Sequence, residues 1–401
     1  MSAQPLGRNV ASEGLRLAEF FAGIGLVRLA LETYGFQTVF ANDISLDKFE
    51  IYRQNFESSR FVVADINRIR SSDIPDCDLA TACFPCTDIS LAGERDGLSG
   101  SESGTFWSFI KILKGKQRKP RVLLIENVEG LLSSNGGRDF RSVIRALNDI
   151  GYACDPYLVD ASYFVPQSRK RILIVGARQD LVGRSNAAPH SFWARPVSLI
   201  KSVHENADLD WFFRDIKPAA PNRESTLADV IEDLPLESRS WWPEEKTMKL
   251  RNQMDPRHRK LVDWAMTRTT PSCFCVYRRT RSNGPRAEVR ADGLAGCLRT
   301  ARGGSSRQIL LCACKGSLNA RFMTPREYAR LQGVPEAYKL PSGDSKALFG
   351  LGDAVCVPVI QWIAKNCIIP LLSRDAERGS NARSETRSPT TRKLSSLSAS
   401  A

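Results

Sequence analysis

The segment Thr81-Ala82-Cys83-Phe84-Pro85-Cys86-Thr87-Asp88-Ile89-Ser90 marks the point at which a buried strand turns into a loop. The apolar run that begins at Cys77 has the length and composition of such a strand, and Pro85 ends it. Loops that follow parallel strands line the ligand crevice of an α/β protein, so Cys86 stands where an enzyme places a nucleophile. A buried structural thiol and a redox pair with Cys83 remain as alternatives.

The chain before this segment has the pattern of a strand, a glycine turn and a helix. The strand is predicted over 15–21, the turn at Gly23-Ile24-Gly25 and the helix over 26–34. Asp43 ends the next predicted strand about 20 residues later, the spacing of a nucleoside site whose acid binds the ribose. Arg28 replaces the third glycine of a dinucleotide fingerprint. The turn therefore favours a nucleoside without a pyrophosphate, such as S-adenosylmethionine.

A second apolar run, 121–125, predicts a parallel strand that ends in Glu126 and Asn127. Because parallel strands end at one edge of a sheet, Glu126 is expected beside Cys86, where an acid and a nucleophile form a two-residue active site. Glutamates more often cap a helix or lie on the surface, and such a role for Glu126 remains the alternative.

Two arginines, Arg169 and Arg171, precede a further strand predicted over 172–177. Residues two apart on a strand point to the same face, so both side chains are placed to meet one carboxylate or phosphate. An exposed strand edge that carries charge is the alternative.

The composition of the 401-residue chain, 42% hydrophobic and 25% charged, is typical of a globular protein with a large core and a second, smaller domain. No apolar run is long enough to span a bilayer, and the first residues lack a secretory pattern, so a cytoplasmic protein is expected. Its 11 cysteines are then expected to be reduced. The Cys-x-Cys spacing at Cys273 and at Cys312 does not suit zinc, and no metal is predicted.

The positive charge is concentrated in one region. The chain has a net charge of +13, and residues 251–310 contain 13 Lys+Arg against 4 Asp+Glu. Trp264, Phe274 and Tyr277 lie among these residues. Basic and aromatic side chains together suit a nucleic acid, although a solvated basic face over a local aromatic core fits the count equally well.

The pattern of elements predicts five divisions of the chain. They are an N-terminal extension (1–14), a catalytic and cofactor domain (15–188), an irregular recognition domain (189–296), a return to the catalytic domain (297–373) and a disordered tail (374–401). The return contains a helix with Thr324 as N-cap, Pro325 at its first position and Glu327 in a capping box.

Six blocks, in this order and spacing, resemble the DNA (cytosine-5) methyltransferases of prokaryotic restriction-modification systems over about 15–371. The blocks are Phe21-Ala22-Gly23-Ile24-Gly25, Phe84-Pro85-Cys86, Glu126-Asn127-Val128, Gln167-Ser168-Arg169-Lys170-Arg171, Thr324-Pro325-Arg326-Glu327 and 352–359. The resemblance implies an α/β, S-adenosylmethionine-dependent methyltransferase Rossmann-like fold, with a doubly wound, mostly parallel sheet and a smaller, irregular target-recognition domain.

The resemblance also implies roles for individual residues. Cys86 is the expected nucleophile, Glu126 holds the cytosine ring, Arg169 orients Glu126 and the base, and Arg171 completes the catalytic set. The residues expected to hold S-adenosyl-L-methionine, with Asp43 on the ribose and Asp65 on the adenine amine, are Phe21, Gly23, Ile24, Gly25, Asp43, Asp65, Ile66, Asp353 and Val355. Substrate contacts are expected from Ser90, Asn127 and Gln167.

Two residues depart from the family pattern: Thr87 follows the Pro-Cys pair in place of Gln, and Asp353 replaces Asn. The expected partner is double-stranded DNA, and a cognate restriction endonuclease would act on the same site. The protein itself is expected to be a monomer associated with a prokaryotic nucleoid. Methylation of transfer RNA and a non-catalytic DNA-binding role are the alternatives.

Overall fold

The structure is a computed structural model that describes residues 14–85, 88, 97–100, 104–182, 189–216, 220–281, 284–299 and 307–373. Cys86, Thr87 and Ser90 lie outside the described residues, as do most of the glycine- and serine-rich loop 93–104 and the predicted tail 374–401.

A seven-stranded sheet in the order β3-β2-β1-β4-β5-β7-β6 forms the larger part of the molecule. Its strands are β1 (Arg16–Phe20), β2 (Gln37–Asp43), β3 (Phe61–Val63), β4 (Leu79–Ala82), β5 (Val122–Val128), β6 (Tyr152–Asp160) and β7 (Lys170–Arg178). Strands β1 to β5 are parallel to one another, whereas β7 runs antiparallel to both β5 and β6. The predicted doubly wound, mostly parallel sheet is confirmed.

Strand β6 is an element that the sequence pattern did not predict. It contains Asp155 and Pro156, two residues that are uncommon in a central strand, and it forms the edge of the sheet. Asp155 is fully buried, and its Oδ1 lies 2.6 Å from Nη2 of the equally buried Arg195. Arg195, which is distant in the sequence, therefore compensates the buried charge of Asp155, the residue that argues against a strand here.

Helices cover both faces of the large sheet. The α-helices of the described residues are α1 (Leu26–Glu32), α2 (Leu46–Asn55), α3 (Thr105–Gly115), α4 (Arg138–Asp149), α5 (Gln179–Val182), α6 (Val197–His204), α7 (Leu227–Val230), α8 (Glu244–Asn252), α9 (Pro256–Met266), α10 (Pro325–Leu331), α11 (Asp344–Asp353) and α12 (Val357–Ile363). Alternate strand residues face opposite cores, so that Leu124 packs with α1 and α12 whereas Leu123 packs with α3 and α4.

A smaller antiparallel sheet in the order β11-β10-β8-β9 carries the basic part of the chain. Its strands are β8 (Ser272–Arg281), β9 (Gly284–Arg290), β10 (Ile309–Cys314) and β11 (Ser317–Phe322). With α8 and α9 it encloses a core of its own, which includes Leu250, Val262 and Val276. The region predicted to be irregular thus contains a regular sheet. Two of its strands also follow residue 296, where the sequence pattern placed the domain boundary.

Two cysteines of the small sheet are bonded to each other. Cys273 in β8 and Cys312 in β10 are direct partners in the ladder and form a disulfide. The expectation that every cysteine is reduced was wrong for this pair, because the antiparallel register brings together two residues that are far apart in the sequence.

The C-terminal helices belong to the core of the large domain. Among the described residues, one helical stretch, Asp344–Ser373, is long and apolar enough to cross a membrane, but 67% of its most apolar window is buried inside the fold. The core helix of a folded domain satisfies the same criterion.

Candidate active site

The turn after β1 forms the first part of the site. Phe21, Gly23 and Gly25 all adopt left-handed backbone conformations, with φ of 57°, 58° and 83°. A Cβ at Gly25 would lie 2.6 Å from the Phe56 ring, so packing also requires a glycine there. A Cβ at Gly23 would meet no atom closer than the Phe21 carbonyl oxygen at 4.0 Å. This side of the turn is therefore open to a ligand.

Asp43 supports the turn from the end of β2. Its Oδ2 accepts a hydrogen bond from the Gly23 amide at 2.9 Å, and its Oδ1 accepts one from the Ser45 amide at 2.9 Å. Asp65 follows β3, where its Oδ1 accepts from the amide and the side chain of Asn67, and Ile66 is buried. The structure thus brings Gly23, Asp43 and Asp65 to neighbouring strand ends, as the sequence predicted.

An apolar surface adjoins these acids. The exposed large apolar side chains of this region are Ile44, Leu46, Val62 and Val63. Asp43 pairs with Val63 in the β2–β3 ladder, so the exposed group lies directly beside the carboxylate. A carboxylate next to an uncovered apolar surface suits a nucleoside, whose sugar needs hydrogen-bond partners and whose base needs an apolar face.

Arg28, at the position of the absent third glycine, belongs to the support of the turn. Its backbone amide donates to Glu19 Oε1 at 2.9 Å, and its Nη1 donates to the Tyr52 hydroxyl at 3.0 Å. Glu19 is 1% exposed, and its burial raises its pKa to about 8, although the nearby Arg28 opposes the shift. Glu19 is a functional neighbour that sequence analysis did not single out.

The C-terminal segment closes against the same turn. The Tyr338 hydroxyl donates to the Ile24 carbonyl at 2.5 Å, and Lys48 Nζ in α2 lies 2.9 Å from Asp353 Oδ2 in α11. Asp353, one of the two departures from the family pattern, is therefore part of an ion pair between two helices. Val355 is buried and lines a small cavity beside Glu126.

Glu126 and Arg171 form the charged centre of the site. Glu126 is 8% exposed near the end of β5, and its Oε1 lies 3.0 Å from Arg171 Nε. The antiparallel ladder explains this contact, because Val128 pairs with Arg171 and so places the start of β7 beside the end of β5. Next to the pair lies a cavity of about 10 Å³, lined by Glu126, Arg169, Arg171 and Val355 among others, with room for about one water molecule.

Arg169 has a different position from the one that the sequence predicted. Its Nη1 donates to the carbonyls of Leu298 at 3.0 Å and Gly352 at 3.4 Å, and its Nη2 donates to the Ala354 carbonyl at 2.7 Å. The expectation that Arg169 orients Glu126 is corrected: Arg171 makes that contact, and Arg169 joins two distant backbone segments.

Asn127 and Gln167 are also placed to hold the site together. Asn127 Nδ2 donates to the Phe84 carbonyl at 3.2 Å, which fixes β5 to the start of the Cys86 loop. Gln167 is fully buried; its Nε2 donates to the Leu331 carbonyl at 2.7 Å and its Oε1 accepts from the Leu298 amide at 3.2 Å. The substrate contact expected of Gln167 is therefore replaced by contacts with the protein itself.

Two described cysteines near the site have opposite properties. Burial raises the pKa of Cys83 well above its usual value, and Glu126 and Glu19 reinforce the shift, so this thiol stays neutral. Burial acts in the same direction on Cys297, but Arg169 and Arg171 outweigh it and the pKa of Cys297 is lowered. Sequence analysis missed Cys297 because no local motif surrounds it. Within the described parts of the chain, no group of three or more His, Cys, Asp or Glu side chains is placed to bind a metal.

The reversed seventh strand, the glycine turn with its acid and the buried Glu126–Arg171 pair define a Rossmann-like methyltransferase. A sequence model of the C-5 cytosine-specific DNA methylases matches residues 15–369. The chain belongs to this family and is a DNA (cytosine-5-)-methyltransferase.

Two curated relatives illustrate the similarity. The chain is 27% identical over 354 residues to the Type II methyltransferase M.HhaI of Haemophilus parahaemolyticus. The aligned region covers 88% of this chain and 94% of that relative. It is 30% identical over 360 residues to the Type II methyltransferase M.SsoII of Shigella sonnei. That aligned region covers 89% of this chain and 80% of the relative. Among solved structures, the Dnmt2 methyltransferase of S. pombe has a TM-score of 0.56 at 20% identity and covers 89% of this chain and 99% of its own. This last likeness concerns the fold alone.

Proposed function

We propose that the protein transfers a methyl group from S-adenosyl-L-methionine to carbon 5 of a flipped-out cytosine in a specific duplex DNA sequence, through a covalent adduct with Cys86. The observation that carries the proposal is the buried Glu126–Arg171 pair beside an open nucleoside edge. The pair lies next to the strand that leads into Cys86.

The residues at the ends of β1, β2 and β3 fit the cofactor. Asp43 is placed for the ribose, Asp65 for the adenine amine, and the exposed side chains around Ile44 for the face of the base. Phe21, Gly23, Ile24 and Gly25 shape the turn, while Ile66, Asp353 and Val355 complete the set expected from the sequence. When bound, S-adenosylmethionine supplies an electrophilic methyl group.

The chemistry of cytosine explains the residue types on the other side of the site. Carbon 5 is a weak nucleophile, so the Cys86 thiolate adds to carbon 6 and converts the ring into an enamine. A carboxyl group at Glu126 donates a hydrogen bond or proton to the ring nitrogen, and Arg171 holds that carboxyl in place. After methyl transfer, water accepts the proton from carbon 5, the Cys86 sulfur leaves as a thiolate, and the ring nitrogen returns its proton to Glu126, which restores the aromatic ring.

Carbon 6 is inaccessible within a duplex, so the cytosine must leave the base stack at a cost of a few kcal/mol. The basic small sheet is the proposed surface for DNA, because phosphate contacts supply much of the affinity of such proteins. The relatives M.HhaI and M.SsoII are Type II methyltransferases. We extend to this chain a role in restriction-modification, in which it protects DNA from an endonuclease that cuts the same site. We propose that it acts in the cytoplasm as a monomer.

The test is transfer of labelled methyl from S-adenosylmethionine to duplex DNA of mixed sequence, with transfer RNA in parallel. The native protein and Cys86→Ser are compared, and Cys77→Ser serves as a matched control because Cys77 is buried just before β4, at the end of that strand away from the site. Label on DNA that is lost only in Cys86→Ser supports the proposal. Label on RNA alone, or label that survives in Cys86→Ser, contradicts it.

A further inference from the structure

The sulfur of Cys297 lies between the two arginines of the site. Its Sγ is 3.5 Å from Arg169 Nη1 and 3.9 Å from Arg171 Nη2. The segment that carries it returns from the small domain to the large one, and the next residue, Leu298, accepts a hydrogen bond from Arg169. Cys297 is thus the point at which both guanidinium groups meet the returning chain.

The charges around Cys297 favour a thiolate. Arg169 is buried and Arg171 is largely so, and Glu126 is the carboxylate that contacts Arg171. Buried cations are costly unless acceptors or anions lie near them, and the sulfur of Cys297 lies 3.5 Å from one guanidinium group and 3.9 Å from the other. Arg299 adds to the positive field, and together the arginines lower the pKa of Cys297 against the effect of burial. In the neutral form, the thiol has the Leu298 carbonyl at 3.5 Å as an acceptor.

The orientation of Arg171 depends on more than Glu126. Its Nη1 donates to the Lys170 carbonyl at 2.8 Å, its Nε faces Glu126 at 3.0 Å and its Nη2 faces Cys297. The partners around a planar guanidinium fix its orientation together, so the contact of Nη2 with Cys297 contributes to the orientation in which Nε meets Glu126.

We infer that Cys297 is a positioning residue of the cytosine pocket, whose thiolate holds Arg171 in the orientation that meets Glu126. The inference rests on the proposed function, because it assigns to Cys297 an effect on the carboxyl group that binds the base. Cys297 itself forms no bond with the substrate.

Three substitutions separate charge from packing. Cys297→Ala and Cys297→Ser remove the anion, and both are expected to lower kcat roughly tenfold while the KM values for DNA and for S-adenosylmethionine stay within about twofold. Cys297→Asp restores an anion and is expected to recover most of kcat. Wild-type kcat in the alanine and serine variants, or an aspartate variant no faster than the serine variant, overturns the inference. Cys77→Ala is the control that leaves kcat unchanged, because Cys77 is buried just before β4, at the end of that strand away from the site.

A second measurement uses the unaltered protein and needs no methyl transfer. Cys297 and Cys314 are both partly buried, so their rates of alkylation by iodoacetamide at pH 7, followed by peptide mass mapping, compare thiolate content at similar exposure. Cys297 is expected to react about tenfold faster, because the thiolate is the reactive form. An equal or slower rate overturns the inference. Absence of methyl transfer in the wild-type protein, with fast labelling of Cys297, would instead point to a failure of the proposed function.

Discussion

The two halves of the proposed active site are built in different ways. Apart from Asp353 and Val355, the cofactor half comes from one continuous part of the chain, from Phe21 to Ile66, and depends on backbone conformation and on amide hydrogen bonds to Asp43. The base half is assembled from residues of β5 and β7 and from two later segments near Leu298 and Ala354.

This difference shows which interactions control each half. In the cofactor half, the carboxylates accept hydrogen bonds from nearby amides, and one substitution is expected to alter one contact. In the base half, buried charges share partners, so a substitution at one arginine changes the surroundings of the others. We therefore expect larger effects in the base half.

The largest effect is expected for Glu126→Gln. The amide keeps the shape of the side chain but cannot donate a proton, so kcat for methyl transfer should fall by about 10² to 10⁴. Glu129→Gln is the matched control, because Glu129 lies in the turn after β5 and faces Lys170 at 3.8 Å on the surface. A loss below about tenfold in Glu126→Gln would remove this acid from the proposed mechanism.

The arginines should separate stability from rate. Arg169→Lys loses hydrogen bonds to three backbone carbonyls and should lower the free energy of unfolding by about 2–4 kcal/mol, measured by urea denaturation. Arg171→Lys should leave stability nearly unchanged but lower kcat roughly tenfold, because lysine cannot hold Glu126 with a planar group. The opposite assignment of the two effects would show that Arg169 is the residue that acts on the base.

In the cofactor half, Asp43→Asn should act on binding alone. The amide should weaken the proposed contact with the ribose and the hydrogen bond from the Gly23 amide, so the KM for S-adenosylmethionine should rise about tenfold while kcat at saturation changes little. Asp47→Asn is the control, since Asp47 is exposed and pairs with Lys346. A comparable fall in kcat would mean that the two halves are coupled.

The smallest effect concerns Glu19 beneath the glycine turn. Its pKa is raised to about 8 in the folded protein against 4.5 as the ordinary value, so the folded state keeps a proton that the unfolded state releases. Stability should therefore fall as the pH rises through this range, by about 1 kcal/mol from pH 6 to pH 7. Glu19→Gln should flatten this dependence in chemical denaturation series. An unchanged slope would show that Glu19 is ionised in the fold.

The sequence predicted the local features of this structure well. The capping box of α10 is present, with the Thr324 hydroxyl and the Glu327 carboxylate exchanging hydrogen bonds with each other's backbone. The glycine turn, the acid at the end of β2 and the strand that carries Glu126 also lie where the pattern placed them. Each of these features is set by residues within one or two elements, so a short window of sequence contains the physical reason.

The features that were missed depend on distant partners. Glu327 also pairs with buried Arg321, whose Nη2 lies 2.6 Å away, and nothing near Glu327 in the sequence indicates this. The strands of the small sheet contain Cys, Arg and Phe without a clean alternation, so their pairing is visible only in the folded register. The choice of Arg171 over Arg169 as the partner of Glu126 likewise follows from the β5–β7 ladder.

The reversal of β7 has a consequence for how the length of this protein can vary. In a wholly parallel sheet, the first residue of a strand and the last residue of its neighbour lie at opposite edges. Here the ladder itself places Arg171 beside Val128, so their alignment does not depend on the length of the turn between β5 and α4. Insertions or deletions in that turn, at Asn135 and Gly136, should be tolerated without disturbing Glu126 and its arginine.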